Sequence, residues 1–217
     1  MPAGLPCPRP ARAVLDGRYA RLEPLSAAHA PALYEASTGQ GAATRFAYLF
    51  DEPPRSLEAM RAWIVKAAAA EDQVYSAVID KTSGRAAGRQ ALMRIVPEHG
   101  VIEIGNILWG PAISRTHVAT EALYLAARHV FDDLGYRRFE WKCNKLNEPS
   151  KAAAQRFGFS YEGLFRQHMW AKGANRDTAW FSMLDSEWPG FRREYDRWLD
   201  PSNFDAAGKQ KSKLQLL

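Results

Sequence analysis

Three segments near the middle of the chain have the length and composition of β-strands, and only short turns separate them. The segments are VYSAVID, GRQALMRIV and VIEIGNILW, and the turns are DKTSG and PEHG. Turns this short connect antiparallel neighbours in a sheet. The sequence therefore predicts an antiparallel meander, and every other element has to extend it or pack on it.

After the meander the pattern changes from strand to helix. Apolar residues recur at helical spacing through residues 118–134, and Gly135 is placed to end the helix. The next segment, RRFEWKC, alternates and is predicted to be a strand. A helix that connects one strand to a neighbouring strand makes the two strands parallel. The predicted sheet is therefore mixed, with one parallel pair in an otherwise antiparallel order.

The remaining elements surround this centre. Ser26 and Ser56 stand where the N-caps of two helices are expected, and Pro149 stands early in a third helix, which Gly158 ends. The other predicted elements are a first strand at residues 18–25, a closing hairpin of GLFRQHMWA and TAWFSML around the turn KGANRD, and an amphipathic segment at residues 188–199.

The composition predicts one globular domain at residues 13–200, preceded by a loose arm at 1–12 and followed by a basic tail at 201–217. Hydrophobic residues make up 47% of the 217 residues, enough for a sizeable core. No apolar run approaches the ~20 residues that a membrane helix needs, and the amino terminus has no apolar signal segment. We therefore expect a cytoplasmic protein that contacts no membrane.

Charge and cysteine content narrow the expected partners. The net charge of +5 and the pI of about 9.3 admit an anionic small molecule or a nucleic acid. The basic residues are scattered apart from the short tail GKQKSKLQLL, so nucleic acid is not favoured. Two cysteines are too few for a disulfide framework or a zinc site, and no metal is expected. A monomer and a homodimer both remain open.

Two motifs carry a resemblance to a known family. The stretch EIGNILWGPAISRTHVATEAL, followed by NKLNEPSKAAAQRFGF and then EG, resembles the GNAT acetyltransferase superfamily. The similar branch includes acetyltransferases of ribosomal-protein N-termini, and the resemblance covers roughly residues 13–188. It implies a single α/β (α+β) domain, with a twisted, mostly antiparallel sheet flanked by helices and a parallel strand pair splayed at the coenzyme site. It also implies acetyl-coenzyme A as acyl donor and an amine as acceptor.

The resemblance places the coenzyme's pyrophosphate on the turn before the long helix, but the turn departs from the family's pattern. The family reads Gln or Arg, two residues, Gly, one residue, then Gly or Ala, and only Ala119 of the three matching positions fits. His117 replaces a glycine, and a positive φ would be costly there. Either the turn keeps helical dihedrals and binds phosphate with added side chains, or binding is weak. We favour the first, with the site formed by Ser114, Arg115, Thr116, His117, Val118, Ala119 and Thr120.

Acetyl transfer to an amine requires a base, a polarised thioester oxygen and a stabilised thiolate. The resemblance places Glu103 beside the thioester, where partial burial would raise its pKa, and we predict that it is the base. The alternative is a strand glutamate that faces outward or pairs with a basic neighbour. Glu162 is the second candidate. The family's usual tyrosine acid is replaced by Ala154, so Ser150 is predicted to stabilise the thiolate, although it could instead cap a helix.

Other residues are assigned more loosely. Gly105 fits a bulge whose backbone N–H could hold the thioester oxygen. Asn147 is predicted to bind the coenzyme near its reactive end. Lys145, Lys151 and Arg156 are open as partners of the 3′-phosphate.

The predicted function is therefore an acetyl-coenzyme A-dependent N-acetyltransferase that uses direct transfer in a ternary complex. The alternative is a catalytically weak module that binds or senses an acyl-coenzyme A, because the glycine and the tyrosine are both absent. A nucleic-acid-binding function rests on net charge alone.

Overall fold

The fold is described from a computed structural model, which defines residues 4–216. Within these residues eight strands form one sheet, and six α-helices surround it. The strands are β1 (Leu15–Asp16), β2 (Ala20–Pro24), β3 (Val74–Asp80), β4 (Arg85–Val96), β5 (Val101–Trp109), β6 (Arg138–Asn144), β7 (Ser160–Ala171) and β8 (Ala174–Leu184). The helices are α1 (Ala30–Ser37), α2 (Ala42–Phe46), α3 (Leu57–Ala69), α4 (His117–Arg128), α5 (Glu148–Arg156) and α6 (Trp188–Trp198).

The sheet has the order β1-β2-β3-β4-β5-β6-β8-β7. All neighbouring strands are antiparallel except β5 and β6, which are parallel and joined by α4. This confirms the predicted mixed α/β fold with one parallel pair. The predicted meander is β3–β4–β5, and the bounds of β3 and β5 are those of VYSAVID and VIEIGNILW.

Two features of the fold differ from the prediction. The closing hairpin is longer than expected, because its turn is only Lys172 and Gly173, at φ of +51° and +73°. Two such residues are enough to reverse the chain between two antiparallel strands. The rest of KGANRD therefore belongs to β8. The five-residue helix α2 was not predicted, since it is too short to show helical periodicity.

Helices cover the sheet in two layers. Leu33 of α1 and Ile64 of α3 pack with Ala77 and Ile79 on one face of β3. Val78, which points the other way, belongs to the larger core that contains α4 and α6. This larger core also holds the apolar residues of the parallel strands, including Ile102, Ile104, Phe139 and Trp141. Among residues 4–216 no helix is both long and apolar enough to cross a membrane.

Both chain ends pack against the domain where the structure describes them. Residues 1–3 of the predicted loose arm lie outside the described residues. Further on, Cys7 is buried, its N–H donates to the Pro97 carbonyl at 3.0 Å, and its thiol donates to the Gly135 carbonyl at 3.3 Å. In the predicted basic tail, Asn203 and Leu216 are buried. The arm and the tail are therefore held at these points.

Glu121, in the second turn of α4, fixes the start of β2. Its carboxylate is buried and accepts the backbone N–H groups of Arg18, Tyr19 and Ala20 at 2.9, 2.5 and 2.6 Å. A Cβ at Gly17 would lie 2.6 Å from this carboxylate, so the close approach requires glycine. One side chain thus supplies the acceptors for three donors that no strand neighbour can pair.

Replacing Glu121 by alanine is expected to destabilise the fold strongly. Three N–H groups would lose their acceptor, and each costs ~1–3 kcal/mol when it is left unpaired away from water. We expect the free energy of unfolding in urea to fall by roughly 3 kcal/mol or more. The exposed Glu71 is the control, because Glu71→Ala should stay within about 0.5 kcal/mol of the wild type. Equal effects of the two substitutions would contradict this role.

Candidate active site

The parallel strands β5 and β6 separate after a short paired stretch. Their pairing runs from Val101 with Arg138 to Ile104 with Trp141 and then stops. Beyond that point β5 stays with β4 and β6 stays with β8. A cavity of about 860 Å³ lies at this divergence. The splayed parallel pair that the sequence predicts is therefore present, and its inner edges face the cavity.

A bulge in β5 lies at the mouth of this cavity. Gly105 pairs with Ala91 and Leu108 pairs with Arg89, so the two residues between them on β5 oppose one residue on β4. Asn106 adopts a φ of +50°, and its side chain donates to Gln73 and Tyr75 at 2.7 Å. The bulge expected at Gly105 therefore begins one residue later, at Asn106 and Ile107, and Gly105 itself stays paired with Ala91. The bulge interrupts the β4–β5 ladder at residues that line the cavity.

The turn before α4 places no positive φ on His117, the residue that replaces the family's glycine. His117 is the first residue of α4, whereas the positive φ, +64°, is at Arg115. Thr116 caps the helix, because its hydroxyl accepts the Val118 N–H at 3.2 Å. Within residues 4–216 the N–H groups of Arg115, His117 and Ala119 have no hydrogen-bond acceptor. They lie at the positive end of the helix dipole, which favours an anion there.

The His117 side chain packs with the carboxy-terminal segment. Its ring centroid lies 4.4 Å from that of Tyr19 and 5.0 Å from that of Phe204. Burial lowers the pKa of His117, although Glu121 nearby acts in the opposite direction. Phe204, Gly208, Lys209 and Gln210 line the same cavity. The tail is therefore part of the wall beside the turn, a placement that the sequence did not reveal.

Glu103 is a buried carboxylate that lines the cavity. Its Oε2 lies 2.9 Å from Nζ of Lys142 and 3.2 Å from Nε of Arg94. Burial raises the pKa of Glu103 above its ordinary value, and the Lys142 and Arg94 charges oppose the rise. Lys142 is itself held over the Trp180 ring, 3.7 Å from its centroid. Glu103 thus combines access to the cavity with a raised pKa.

Glu162, the second candidate for the base, lies elsewhere. Arg138 donates to it from two guanidinium nitrogens, and Ser182 donates to it at 2.7 Å. These contacts, the Arg138 hydrogen bond above all, lower the pKa of Glu162. Glu162 is not among the residues that line the cavity. It therefore serves an ion pair between β6 and β7.

Asn147 and Ser150 lie together at the amino terminus of α5, and both line the cavity. Asn147 is the helix cap, because its Oδ1 accepts the Ser150 N–H at 3.2 Å. Ser150 therefore does not cap the helix. Its hydroxyl oxygen accepts the indole N–H of Trp141 at 2.9 Å, which leaves the hydroxyl proton for another acceptor. Ala154, at the position of the family's tyrosine, is fully buried.

Of the three basic residues proposed for the 3′-phosphate, only Arg156 lines the cavity. Its Nη1 donates to the Thr120 hydroxyl at 3.1 Å, and its guanidinium carbon lies 5.2 Å from the Trp198 ring centroid. Lys145 and Lys151 are instead paired with acidic neighbours, at 2.8 and 2.6 Å. Arg156 therefore stands beside the first turn of α4 and faces the cavity.

A loop at residues 47–56 covers part of the cavity. Tyr48, Leu49 and Phe50 line it. The loop is fixed by an ion pair between Asp51 and Arg89 at 2.5 Å, and Lys172 of the β7–β8 turn donates to the Asp51 carbonyl at 3.1 Å. No local sequence pattern indicates this cover, because its contacts join distant parts of the chain. Among residues 4–216 no three His, Cys, Asp or Glu side chains are grouped to hold a metal.

A family model described as acetyltransferase (GNAT) domain matches residues 20–160. These residues contain β2 to β6, α4 and α5, and hence both sides of the cavity. The chain belongs to the GNAT acetyltransferase family. Named N-acetyltransferases among its relatives and the shared fold make it an acetyltransferase. The family uses acetyl-coenzyme A as co-substrate.

Relatives support this membership at several levels of similarity. A GCN5-related N-acetyltransferase from Brucella melitensis is 55% identical, with a TM-score of 0.97 over 99% of this chain and 98% of that one. The uncharacterized N-acetyltransferase p20 of Bacillus licheniformis is 32% identical over a match that covers 52% of this chain. The same match covers 63% of that protein's length. An acetyl transferase from Salmonella typhimurium that modifies the N-terminal serine of a 50S ribosomal subunit protein shares the fold, with 19% identity and a TM-score of 0.69 over 79% and 99% of the chains.

The turn before α4 makes a prediction about coenzyme binding. Replacing Arg115 by alanine should weaken coenzyme A roughly 10–100-fold, since a well-aligned charged hydrogen bond is worth about 1.5–3 kcal/mol. Pantetheine, which lacks the phosphates, should bind equally to both proteins in calorimetry.

A second variant separates charge from backbone strain. Arg115→Gly removes the same charge but suits the positive φ, so it should be about 1 kcal/mol more stable than Arg115→Ala and bind coenzyme A just as weakly. Equal losses for coenzyme A and pantetheine would show that Arg115 supports the fold and does not bind phosphate.

His117 makes a prediction about pH. Its pKa is lowered in the folded protein, so the unfolded chain takes up a proton first as the pH falls through about 6.5. The contribution of His117 to stability is therefore fully present above pH 6.5 and declines as the pH falls below it. We expect the free energy of unfolding to fall more between pH 7.5 and 5 in the wild type than in His117→Gln. Parallel curves for the two proteins would exclude this contribution.

Proposed function

We propose that the protein transfers an acetyl group from acetyl-coenzyme A to a primary amine, directly and within a ternary complex. The observation that carries the proposal is the position of Glu103: a carboxylate with a raised pKa, in the same cavity as the α4 amino terminus and Ser150. A base, an anion site and a hydroxyl are the groups that such a transfer requires. The acceptor is either a protein N-terminus or a small amine.

The reaction is assigned to these groups as follows. Glu103 accepts a proton from the ammonium, directly or through a water, and the neutral nitrogen attacks the thioester carbon. The C–N bond forms, the C–S bond breaks, and the electron pair leaves with sulfur. The nitrogen then loses a second proton, which neutralises the thiolate, so the products are the amide and the thiol of coenzyme A. Backbone N–H groups at the bulge after Gly105 stabilise the developing charge on oxygen. The Ser150 hydroxyl donates to the departing thiolate, while its oxygen keeps the Trp141 contact.

The remaining candidate residues bind the coenzyme in this proposal. The pyrophosphate lies on residues 114–120, where Arg115, His117 and Ala119 offer free N–H groups. Arg156 adds a second cation, and Asn147 stands at the thioester end of the cavity. Acetyl-coenzyme A at ~100 times its Kd should stabilise the fold by about 2.7 kcal/mol. No shift in melting temperature at millimolar coenzyme would reject the proposal.

Replacing the base by its amide is the direct test of Glu103. Glu103→Gln should lower kcat/KM by roughly 10²–10⁴-fold near neutral pH, with coenzyme affinity unchanged. Because the pKa of Glu103 is raised, the acidic limb of the wild-type pH profile should lie above the ordinary value of 4.5, and the variant should lack it. A variant that keeps this limb would remove Glu103 from the mechanism.

Lys142 provides a matched test of the same group. Its charge opposes the rise in the pKa of Glu103, so Lys142→Gln should move the acidic limb to higher pH. A merely structural role for Glu103 would leave the position of that limb unchanged.

A second function is supported by two observations. The turn before α4 has Arg115 at a positive φ where glycine would be unstrained, and Ala154 replaces the tyrosine acid. Both fit a module that binds or senses an acyl-coenzyme A with little turnover. Coenzyme binding without thiol release from any member of an amine library would favour this function over transfer.

A further inference from the structure

Arg176 is a buried cation that faces the cavity without an acidic partner. The residue is 9% exposed and belongs to the cavity wall. Its Nη1 donates to the Thr178 hydroxyl at 3.0 Å and contacts the Met169 sulfur at 3.2 Å, while Nε has no acceptor. The guanidinium carbon lies 5.0 Å from the ring centroid of Phe50. Among residues 4–216 no Asp or Glu forms an ion pair with it.

A guanidinium that is removed from water without a counter-ion is unfavourable, so its usual place in a fold is beside a carboxylate. Burial lowers the pKa of Arg176, which agrees with a desolvated charge that lacks such a partner. Neutral contacts with a hydroxyl, a thioether and an aromatic ring satisfy only part of the guanidinium. Nε is buried, whereas Nη2 is not and makes no hydrogen bond within residues 4–216, so Nη2 is the nitrogen that a molecule in the cavity can reach.

The nearby acidic groups are already committed. Glu103 lies within 3.2 Å of both Arg94 and Lys142. Asp177, the next residue along β8, accepts from Lys145 at 2.8 Å and from the Gln167 N–H at 2.8 Å. Rearranging either carboxylate toward Arg176 would break these contacts. The missing counter-charge is therefore best supplied from outside the chain.

Arg176 lies on the same wall of the cavity as Glu103. Along β8 it alternates with Asp177 and so shares a face with Thr178 and Trp180, whose ring carries the Lys142 ammonium. That ammonium contacts Glu103, so the guanidinium and the proposed base belong to one wall. Phe50 places the covering loop directly against the guanidinium. The anion site at α4 is formed by other elements.

We propose that the acceptor is an amine that also carries a carboxylate, which Arg176 binds while Glu103 takes the proton from the amine. The inference rests on the proposed function and specifies the substrate class of the same site. A planar carboxylate matches the guanidinium fork, which allows two parallel hydrogen bonds. The carboxylate can belong to a free amino acid or to an acidic side chain near the N-terminus of a peptide. Both sources offer the same chemistry to Arg176.

The test compares matched acceptors that differ only in charge. The small pair is 4-aminobutanoate and 4-aminobutanamide, and the peptide pair is a dipeptide amide with aspartate or asparagine in second place. With acetyl-coenzyme A, the wild type should prefer the carboxylate of at least one pair by about 10–100-fold in kcat/KM. Whichever pair shows the preference identifies the source. A kcat/KM ratio of carboxylate to amide near one in both pairs would overturn the inference.

Variants assign the preference to one side chain. Arg176→Gln should bring the ratio close to one by lowering kcat/KM for the carboxylate only, and Arg176→Lys should restore part of it. Arg166→Gln on the neighbouring strand removes an exposed charge and should leave the ratio unchanged. Equal losses for carboxylate and amide in Arg176→Gln, with the Lys variant behaving like the Gln variant, would indicate a structural role and overturn the inference.

Binding without turnover separates this inference from the proposed function. Each acceptor is titrated calorimetrically into the wild type and Arg176→Gln in the presence of coenzyme A. A carboxylate preference that depends on Arg176, but without acetyl transfer to any amine, would support the inference and reject the transferase. Acetyl transfer with equal kcat/KM for the carboxylate and the amide acceptors would support the transferase and reject the inference.

Discussion

The organisation of the site depends on where the parallel pairing of β5 and β6 ends. Beyond Ile104 and Trp141, β5 and β6 no longer pair along the edges that face each other. Their other edges stay paired, β5 with β4 and β6 with β8. Unpaired backbone groups away from water are costly, so the facing edges are stable only where solvent or a ligand reaches them. The cavity supplies that access. The bulge after Gly105 and the amino termini of α4 and α5 then meet around one opening.

The wall of this opening carries more positive than negative side chains. Its wall contains one carboxylate, Glu103, and a larger set of Lys and Arg side chains. Two of these cations are paired with Glu103, and within residues 4–216 none of the others forms an ion pair with an Asp or Glu. A low-dielectric wall with this imbalance attracts negatively charged ligands. The cavity-facing Lys and Arg residues are Arg45, Arg94, Arg115, Lys142, Arg156, Arg176 and Lys209.

The sequence predicted the features that depend on local pattern. Alternation and short turns located β3 and β5, and Gly105 indicated the adjacent bulge. Contacts between distant residues were not predictable, because no local pattern encodes them: Lys142 beside Glu103, and Phe204 beside His117, are examples. The favoured reading, in which the turn keeps helical dihedrals, holds at His117 but not at Arg115, which takes the positive φ. Which residue takes the positive φ depends on how the preceding turn closes, and the residue types do not determine that.

The packing of Phe204 on His117 has a consequence for how the protein matures. Residues 204–210 are synthesised after every other part of the cavity wall, yet they stand beside the turn that holds free N–H groups. A nascent chain that lacks them also lacks the part of the wall that packs on His117. The cavity is therefore completed only when residues 204–210 have been synthesised, later than the sheet and α4.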